Sequence, residues 1–358
     1  MSTCEWGEYI KDESEMQRAK ILYDIKQGKK GEKRVNWRGH KINSQLLSDS
    51  YQRQGIINKS FLCAMCGDSL TFERFKDGTL RLKAANFCKV RLCPMCACRR
   101  SLKIFGQTSK VMDYITAEND FRYIFLTLTL KNVPGVELKK TIDKLFDAFE
   151  KLTRRKEYRR ISKGHLRCLE VTHNWTRGDD YHPHIHVIIV VNQSYFEKGG
   201  KYLSHEKWMS LWRDCAGLDY DPWVDIRTVK PNTEGQDGNM DYGKAVAEVA
   251  KYTVKASDFI LSPKDSLRES PYYEELKDFC DKQTDEVVAV LDGALANRRL
   301  VAFAGAMKEA HKKLNLDKPD TGDLVNTDIE ERIRPDLLSV IEVYRWCPGY
   351  RNYVLVEE

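Results

Sequence analysis

The sequence has no long apolar run. Nothing in it approaches the ~20 consecutive apolar residues that a membrane-spanning helix requires, and its polar start, Met1-Ser-Thr-Cys-Glu-Trp-Gly-Glu, is not a secretory signal. The expectation is a cytoplasmic protein with no membrane partner. No G-x-x-x-x-G-K-[ST] motif occurs, which excludes a P-loop ATPase. Internal repeats and low-complexity tracts are also missing, so solenoids and long compositional linkers are excluded. An excess of one charge is lacking as well: 59 basic against 53 acidic side chains leave a net +6, a weak pointer to nucleic acid. Histidine is scarce, with 8 in 358 residues, so any local concentration of it is informative.

Cysteine is plentiful, at 11, but a disulfide scaffold belongs to small secreted chains, and this chain is neither small nor visibly secreted. Cys4, Cys168, Cys215, Cys280 and Cys347 are scattered and read as reduced thiols, while the other six crowd between positions 63 and 98. Cys63-Ala-Met-Cys66-Gly and Cys93-Pro-Met-Cys96 are C-x2-C knuckles, whose thiolates can each grip one side of an ion. Pairing them gives a tetrahedral Cys4 site for structural Zn²⁺. Cys88 and Cys98 are further candidates: Cys88, Cys93 and Cys96 can supply three ligands with Cys66 as the fourth.

The remaining pattern is that of an α+β fold. Tyr123-Ile-Phe-Leu-Thr-Leu-Thr-Leu130 is a buried strand stopped by Lys-Asn-Val-Pro-Gly. Leu138, Ile142, Leu145, Phe146, Phe149 and Leu152 recur at helical spacing. Residues 166–173 and 184–191 read as two strands joined by a hairpin loop over 174–181, and so as antiparallel neighbours. A tryptophan-rich helix at 205–212, a strand at 223–229, a loop at 231–239 and a helix over 243–256 follow. Together these predict an antiparallel-rich sheet with helices on one side. Beyond residue 262 a mainly helical extension is expected, with 294–306 as its strongest helix. Two basic runs stand out: residues 26–41 with Trp37, and a second containing Arg154, Arg155, Lys156, Arg159, Arg160 and Lys163 with Tyr158.

Two segments carry the chemistry. His182-Pro183-His184-Ile185-His186 leads into Val187-Ile-Ile-Val-Val191, so on a strand the three imidazoles share one face. Neutral imidazoles are good metal ligands, and Glu170 on the preceding strand would complete a set with His184 and His186. His182 is the spare candidate, because Pro183 can mark the strand's start and turn His182 away. In the expected 243–256 helix, a spacing of four stacks Glu248 and Tyr252, a carboxylate base beside a hydroxyl nucleophile. Lys251 and Lys255 flank them and can hold phosphates.

Taken in order, Cys88-Lys-Val-Arg-Leu-Cys-Pro-Met-Cys96, Phe125-Leu-Thr-Leu-Thr-Leu130, His182-Pro-His-Ile-His-Val-Ile-Ile189 and Glu248-Val-Ala-Lys-Tyr252-Thr-Val-Lys255 resemble the replication initiators of small bacterial rolling-circle plasmids, members of the HUH endonuclease superfamily. Residues 298–305 and 349–355 also look like that family. The resemblance implies an RRM-like, ferredoxin-like core and a site-specific single-strand endonuclease and strand transferase. Tyr252 would form a 5′-phosphotyrosine link at the plasmid's double-strand origin, and Glu248 would activate water at termination. His184, His186 and Glu170 would hold Mg²⁺ or Mn²⁺. The free 3′-hydroxyl would prime the host DNA polymerase, and a host helicase would unwind the duplex. The division implied is a basic region over 1–60, a zinc-binding subdomain over 61–110, the endonuclease core over 111–262 and the helical extension over 263–358.

Three alternatives are set against this. His182-x-His184-x-His186 also resembles the histidine-triad nucleotide hydrolases, which would leave the cysteines and Tyr252 without a role. A single-tyrosine transposase or conjugative relaxase differs in tyrosine arrangement and chain length. A non-catalytic, zinc-stabilised DNA-binding protein would need no assembled site.

Overall fold

The computed structural model describes residues 20–22, 35–76, 80–197, 201–229, 243–251, 253–327 and 339–357. In chain order the elements are α1 (Trp37–Arg53), α2 (Ile57–Met65), β1 (Ser69–Phe75), β2 (Leu80–Ala85), α3 (Pro94–Glu118), β3 (Phe121–Thr129), α4 (Gly135–Arg154), α5 (Lys156–Ile161), β4 (Ser162–His173), β5 (Tyr181–Asn192), α6 (His205–Ala216), β6 (Val224–Val229), α7 (Gly243–Val249), α8 (Tyr273–Leu295), β7 (Val301–Gly305), α9 (Ala306–Lys313), β8 (Ser339–Cys347) and β9 (Asn352–Glu357). The α+β class is therefore as expected. Among the described residues no helix is long and apolar enough to cross a membrane. The 231–239 loop and most of the basic run at 26–41 lie outside the described residues.

The chain forms two compact units. The first comprises Met1–Arg100, Ser262–Asp285 and Asp323–Glu358. Its antiparallel sheet has the order β2-β1-β8-β9, so strands far apart in sequence lie side by side. Leu70, Phe72, Tyr344 and Tyr353 are buried with Trp37, Leu47 and Tyr51 of α1, and the Trp37 and Phe72 rings meet edge-on at 5.8 Å. α1 starts where the Asn36 side chain accepts the Gly39 N–H at 2.7 Å, replacing one hydrogen bond the first turn lacks.

The second unit comprises Ser101–Leu261 and Glu286–Gly322 and holds a five-stranded antiparallel sheet of order β6-β3-β5-β4-β7. The β4–β5 hairpin pairs as its alternation predicts, from His173 opposite Tyr181 through Glu170 opposite His184. α4 buries Leu138, Ile142, Leu145, Phe149 and Leu152 as expected and packs on β5 and α6. Phe146 is only half-buried, with the Arg167 guanidinium 3.9 Å from its ring centroid.

Three expectations are corrected. Helices cover both faces of this sheet: α3 lies on the face opposite α4, where its Met112 carbonyl accepts the Tyr123 hydroxyl at 3.0 Å. On that same face of the sheet, the Phe303 ring of β7 meets His311 of α9 at 4.7 Å. The 294–306 segment is not a helix. α8 ends at Leu295, Asn297 takes a left-handed conformation (φ 55°), and Val301–Gly305 pairs along the otherwise open edge of β4. That edge supplies a row of hydrogen-bond partners that outweighs the helix preference of the alanines. With β8 and β9 beyond it, the region after residue 262 is a mixture of helix and strand. The third correction concerns α7, which stops at Val249 rather than continuing to 256. Ser101 donates its hydroxyl to the Ala250 carbonyl, and Val171 of β4 donates its N–H to the Thr253 carbonyl at 2.7 Å. The chain is thereby drawn off the helical path after Val249. Tyr252 itself lies outside the described residues.

Candidate active site

Because side chains alternate along a strand, Thr127 of β3, His184 and His186 of β5 and Glu170 of β4 fall on one face, with His186 flanked by Thr127 on one side and Cys168 on the other. All of the cluster's ligating groups are buried: Glu170 is 5%, His184 8% and His186 6% exposed. Glu170 Oε2 lies 2.9 Å from His186 Nε2 and 3.3 Å from His184 Nε2, and Lys255 Nζ lies 3.4 Å from Glu170 Oε1.

Hydrogen bonds behind the ligands fix the imidazoles. His184 Nδ1 is 3.2 Å from the His182 carbonyl, an acceptor only, so Nδ1 carries a proton and Nε2 faces Glu170. Two electron-rich atoms can face each other at this range only around a cation, a proton or a metal ion. Two ligands held at ~2.1 Å and at right angles on one ion would stand ~3.0 Å apart, close to the spacings found. Thr127 Oγ1 holds His186 Nδ1 at 3.0 Å, the outer contact that orients metal-binding histidines. Burial alone would raise the Glu170 carboxyl, but hydrogen bonds from His184 and His186 hold it well below the ordinary carboxylate range. Glu170 thus stays ionised, as a ligand must. The residues fit a divalent cation, and the three ligating atoms lie within 4.8 Å of one another.

His182 departs from its expected place. Pro183 does not turn it away: the strand begins at Tyr181, and the His182 ring stacks on His184 with centroids 4.9 Å apart. It is half-buried, and burial together with the neighbouring His184 pushes it down to about 4. Glu170, rather than His182, joins the two histidines in the cluster. Glu248 is half-buried and ion-paired with Lys251. Of the two flanking lysines, then, Lys255 reaches the cluster and Lys251 is taken up by Glu248.

A second candidate metal centre lies in the first unit. Sulfurs of Cys66, Cys88, Cys93 and Cys96 fall within 4.8 Å of one another. Cys96 Sγ is 3.6 Å from Cys66 Sγ and 3.7 Å from Cys88 Sγ, close to the ~3.8 Å separating tetrahedral ligands at ~2.3 Å from zinc. This group is the alternative set, in which Cys88 stands where the pairing of both C-x2-C motifs has Cys63. Cys63 is buried beside the cluster in the last turn of α2, but Cys66 lies past the end of that helix, where Gly67 (φ 66°) turns the chain. Lys89 is likewise left-handed (φ 60°), and its N–H donates to Cys96 Sγ at 3.2 Å. Cys98, on α3, is not part of the group.

The sequence offered no hint of the two cations that brace these turns. Lys41, fully buried on α1, donates to the Ala64 and Cys66 carbonyls and to Asp68 Oδ1 at 2.6 Å. Arg100 donates to the carbonyls of Lys89, Val90 and Arg91. Lys41→Met should cost about 3 kcal/mol, because it leaves buried acceptors unpaired, and the midpoint of denaturant unfolding measures it. The signal for Thr127 was present, since Thr127 and Thr129 alternate within an apolar strand and so share the histidine face.

The fold and the two clusters describe an α+β protein with a histidine–carboxylate site and a cysteine centre. A family model described as "Replication protein" matches residues 79–354, and the chain belongs to that replication protein family. It is 40% identical over 340 residues to "Protein rep" of Streptococcus pneumoniae serotype 2, covering 93% of this chain and 95% of that protein. It is 36% identical to "Protein rep" of Bacillus amyloliquefaciens (90% and 94% covered) and 32% identical to a "Replication protein" of Staphylococcus aureus (70% and 98%). No solved structure matches.

Proposed function

We propose that this protein initiates and terminates rolling-circle replication of a small plasmid by nicking and rejoining one strand at the double-strand origin. The observation that carries the reading is the buried Glu170–His184–His186 cluster, with Lys255 against it, in a chain of the replication protein family. Mg²⁺ or Mn²⁺ bound there would act as a Lewis acid on the scissile phosphate. The Tyr252 hydroxyl oxygen attacks the phosphorus, its bond to phosphorus forms as the P–O3′ bond breaks, and the strand leaves with a 3′-hydroxyl. The 5′ end stays on the tyrosine. Lys255 contributes positive charge beside the reacting phosphate. At termination Glu248, released from Lys251, takes a proton from water, whose oxygen attacks the phosphorus at the regenerated nick site as the P–O3′ bond breaks. The freed 3′-hydroxyl then attacks the Tyr252 phosphodiester, and the strand closes as the P–O(Tyr) bond breaks and returns the tyrosine hydroxyl. Unpaired DNA is the substrate the site would take, because a phosphate must approach buried ligands closely.

The four cysteines would hold structural Zn²⁺. A host helicase and the host DNA polymerase are the partners that the chemistry requires, the first because the chain has no ATPase loop and the second because the freed 3′-hydroxyl is a primer. The cytoplasm is where those partners work.

The test is incubation with supercoiled plasmid carrying the cognate origin, in Mn²⁺ or EDTA. Wild type should nick in Mn²⁺ only and leave protein covalently on the 5′ end, and Tyr252→Phe should leave none. Glu248→Gln should still form the covalent species but release it slowly. Cleavage that persists in Tyr252→Phe would sink the reading and favour histidine-triad chemistry; zinc-loaded wild type that cuts nothing would favour a non-catalytic DNA-binding protein.

A further inference from the structure

Residues 150–163 run from the last turn of α4 through α5 into β4. They contain seven cationic side chains and two carboxylates, in a chain whose net charge is only +6, so this one corner supplies nearly all of the excess. All seven cations are exposed. Both carboxylates are already engaged, Glu150 by Arg154 and Glu157 by Lys207 of α6 at 3.4 Å. Lys151, Lys156, Arg159, Arg160 and Lys163 have no ion pair among the described residues. A surface that serves solubility alone mixes its signs, and this one does not.

The corner is also rigid. α5 is pinned through Tyr158 and Ile161, both buried, with the Tyr158 hydroxyl 2.9 Å from His165 Nδ1 and its ring edge-on to Phe149 and Trp208. Lys156, Arg159 and Arg160 lie on that anchored turn and are exposed. They are therefore held as a fixed array rather than on a floppy tail, and less entropy is lost when phosphates dock.

We infer that this corner grips the phosphates of duplex DNA beside the nick site. The inference rests on the proposed nicking function for its biological setting. Along β4, Lys163 and Glu170 are seven residues apart, about 23 Å at ~3.3 Å per residue or about seven base-pair steps of a duplex. Because α5 packs against His165 on the sheet face opposite Glu170, the DNA would pass around the start of β4 between corner and cluster. One molecule can then hold paired DNA at the corner while the unpaired scissile phosphate lies at the metal cluster. The contacts carry no base readout, so the corner adds affinity and position rather than sequence choice.

The experiment measures binding of a linear duplex of arbitrary sequence as a function of salt, for wild type and for Lys156→Gln/Arg159→Gln/Arg160→Gln, with circular dichroism to check folding. Each lost phosphate contact removes about 0.9 from the slope of log K against log salt, so the triple variant should be shallower by about 2 to 3. Cleavage of a short single-stranded oligonucleotide carrying the mapped nick site should be unchanged. An unchanged salt slope would overturn the inference, and so would an equal loss of oligonucleotide cleavage, which would place the corner's action at the cluster itself. Wild type that cuts no DNA but shows the expected difference in slope would overturn the nicking function and support the corner as a duplex-binding surface.

Discussion

His186→Ala is expected to lower origin nicking by about a thousandfold or more at saturating Mn²⁺, equivalent to about 4 kcal/mol of transition-state stabilisation. The imidazole is one of three groups within 4.8 Å that can grip the ion, and its Nε2 makes the shortest contact with Glu170, at 2.9 Å. Removing it leaves a buried carboxylate with His184 and Lys255 as its remaining partners, so the ion should bind more weakly and sit less firmly. Thr127→Val separates positioning from ligation. It keeps the shape of the strand but deletes the 3.0 Å contact to His186 Nδ1, and should weaken Mn²⁺ binding by about 10- to 100-fold without removing a ligand. Raising the Mn²⁺ concentration should restore most of the nicking in Thr127→Val and little in His186→Ala. Nicking by His186→Ala at the wild-type rate would show that the cluster is not the catalytic centre.

The second large effect concerns the cysteines. Cys93→Ser or Cys96→Ser should abolish zinc binding and unfold the first unit, because structural zinc contributes about 10–16 kcal/mol, as much as the whole stability of a typical domain. Removing zinc from wild type with a strong chelator should reproduce the loss. Cys63→Ser is the informative contrast: its sulfur lies beside the cluster but outside the group of four, so it should retain full zinc stoichiometry. Metal content and circular dichroism decide between the two ligand sets. Zinc lost from Cys63→Ser and kept by Cys88→Ser would restore the pairing of the two C-x2-C motifs.

Much of the histidine site follows from local rules. Period-two alternation alone places His184 and His186 on one face of β5, and a short polar loop before Tyr181 makes β4 its antiparallel neighbour, which brings Glu170 opposite His184. The amphipathic face of α4 is equally local. These features depend on residues close in sequence, whose geometry the backbone's own periodicity dictates.

What the tertiary structure decided is non-local. Residues 301–305 became a strand because β4 had an open edge, not because of their own preference. α7 ended at Val249 because Ser101 and Val171, far away in sequence, took the Ala250 and Thr253 carbonyls. That the Cys88 sulfur rather than that of Cys63 falls in the close group of four depends on where the Gly67 and Lys89 turns, braced by Lys41 and Arg100, aim the sulfurs. In each case hydrogen-bonding groups that a short segment leaves open are satisfied by partners that only folding brings near, and no window of sequence contains both halves of the bond.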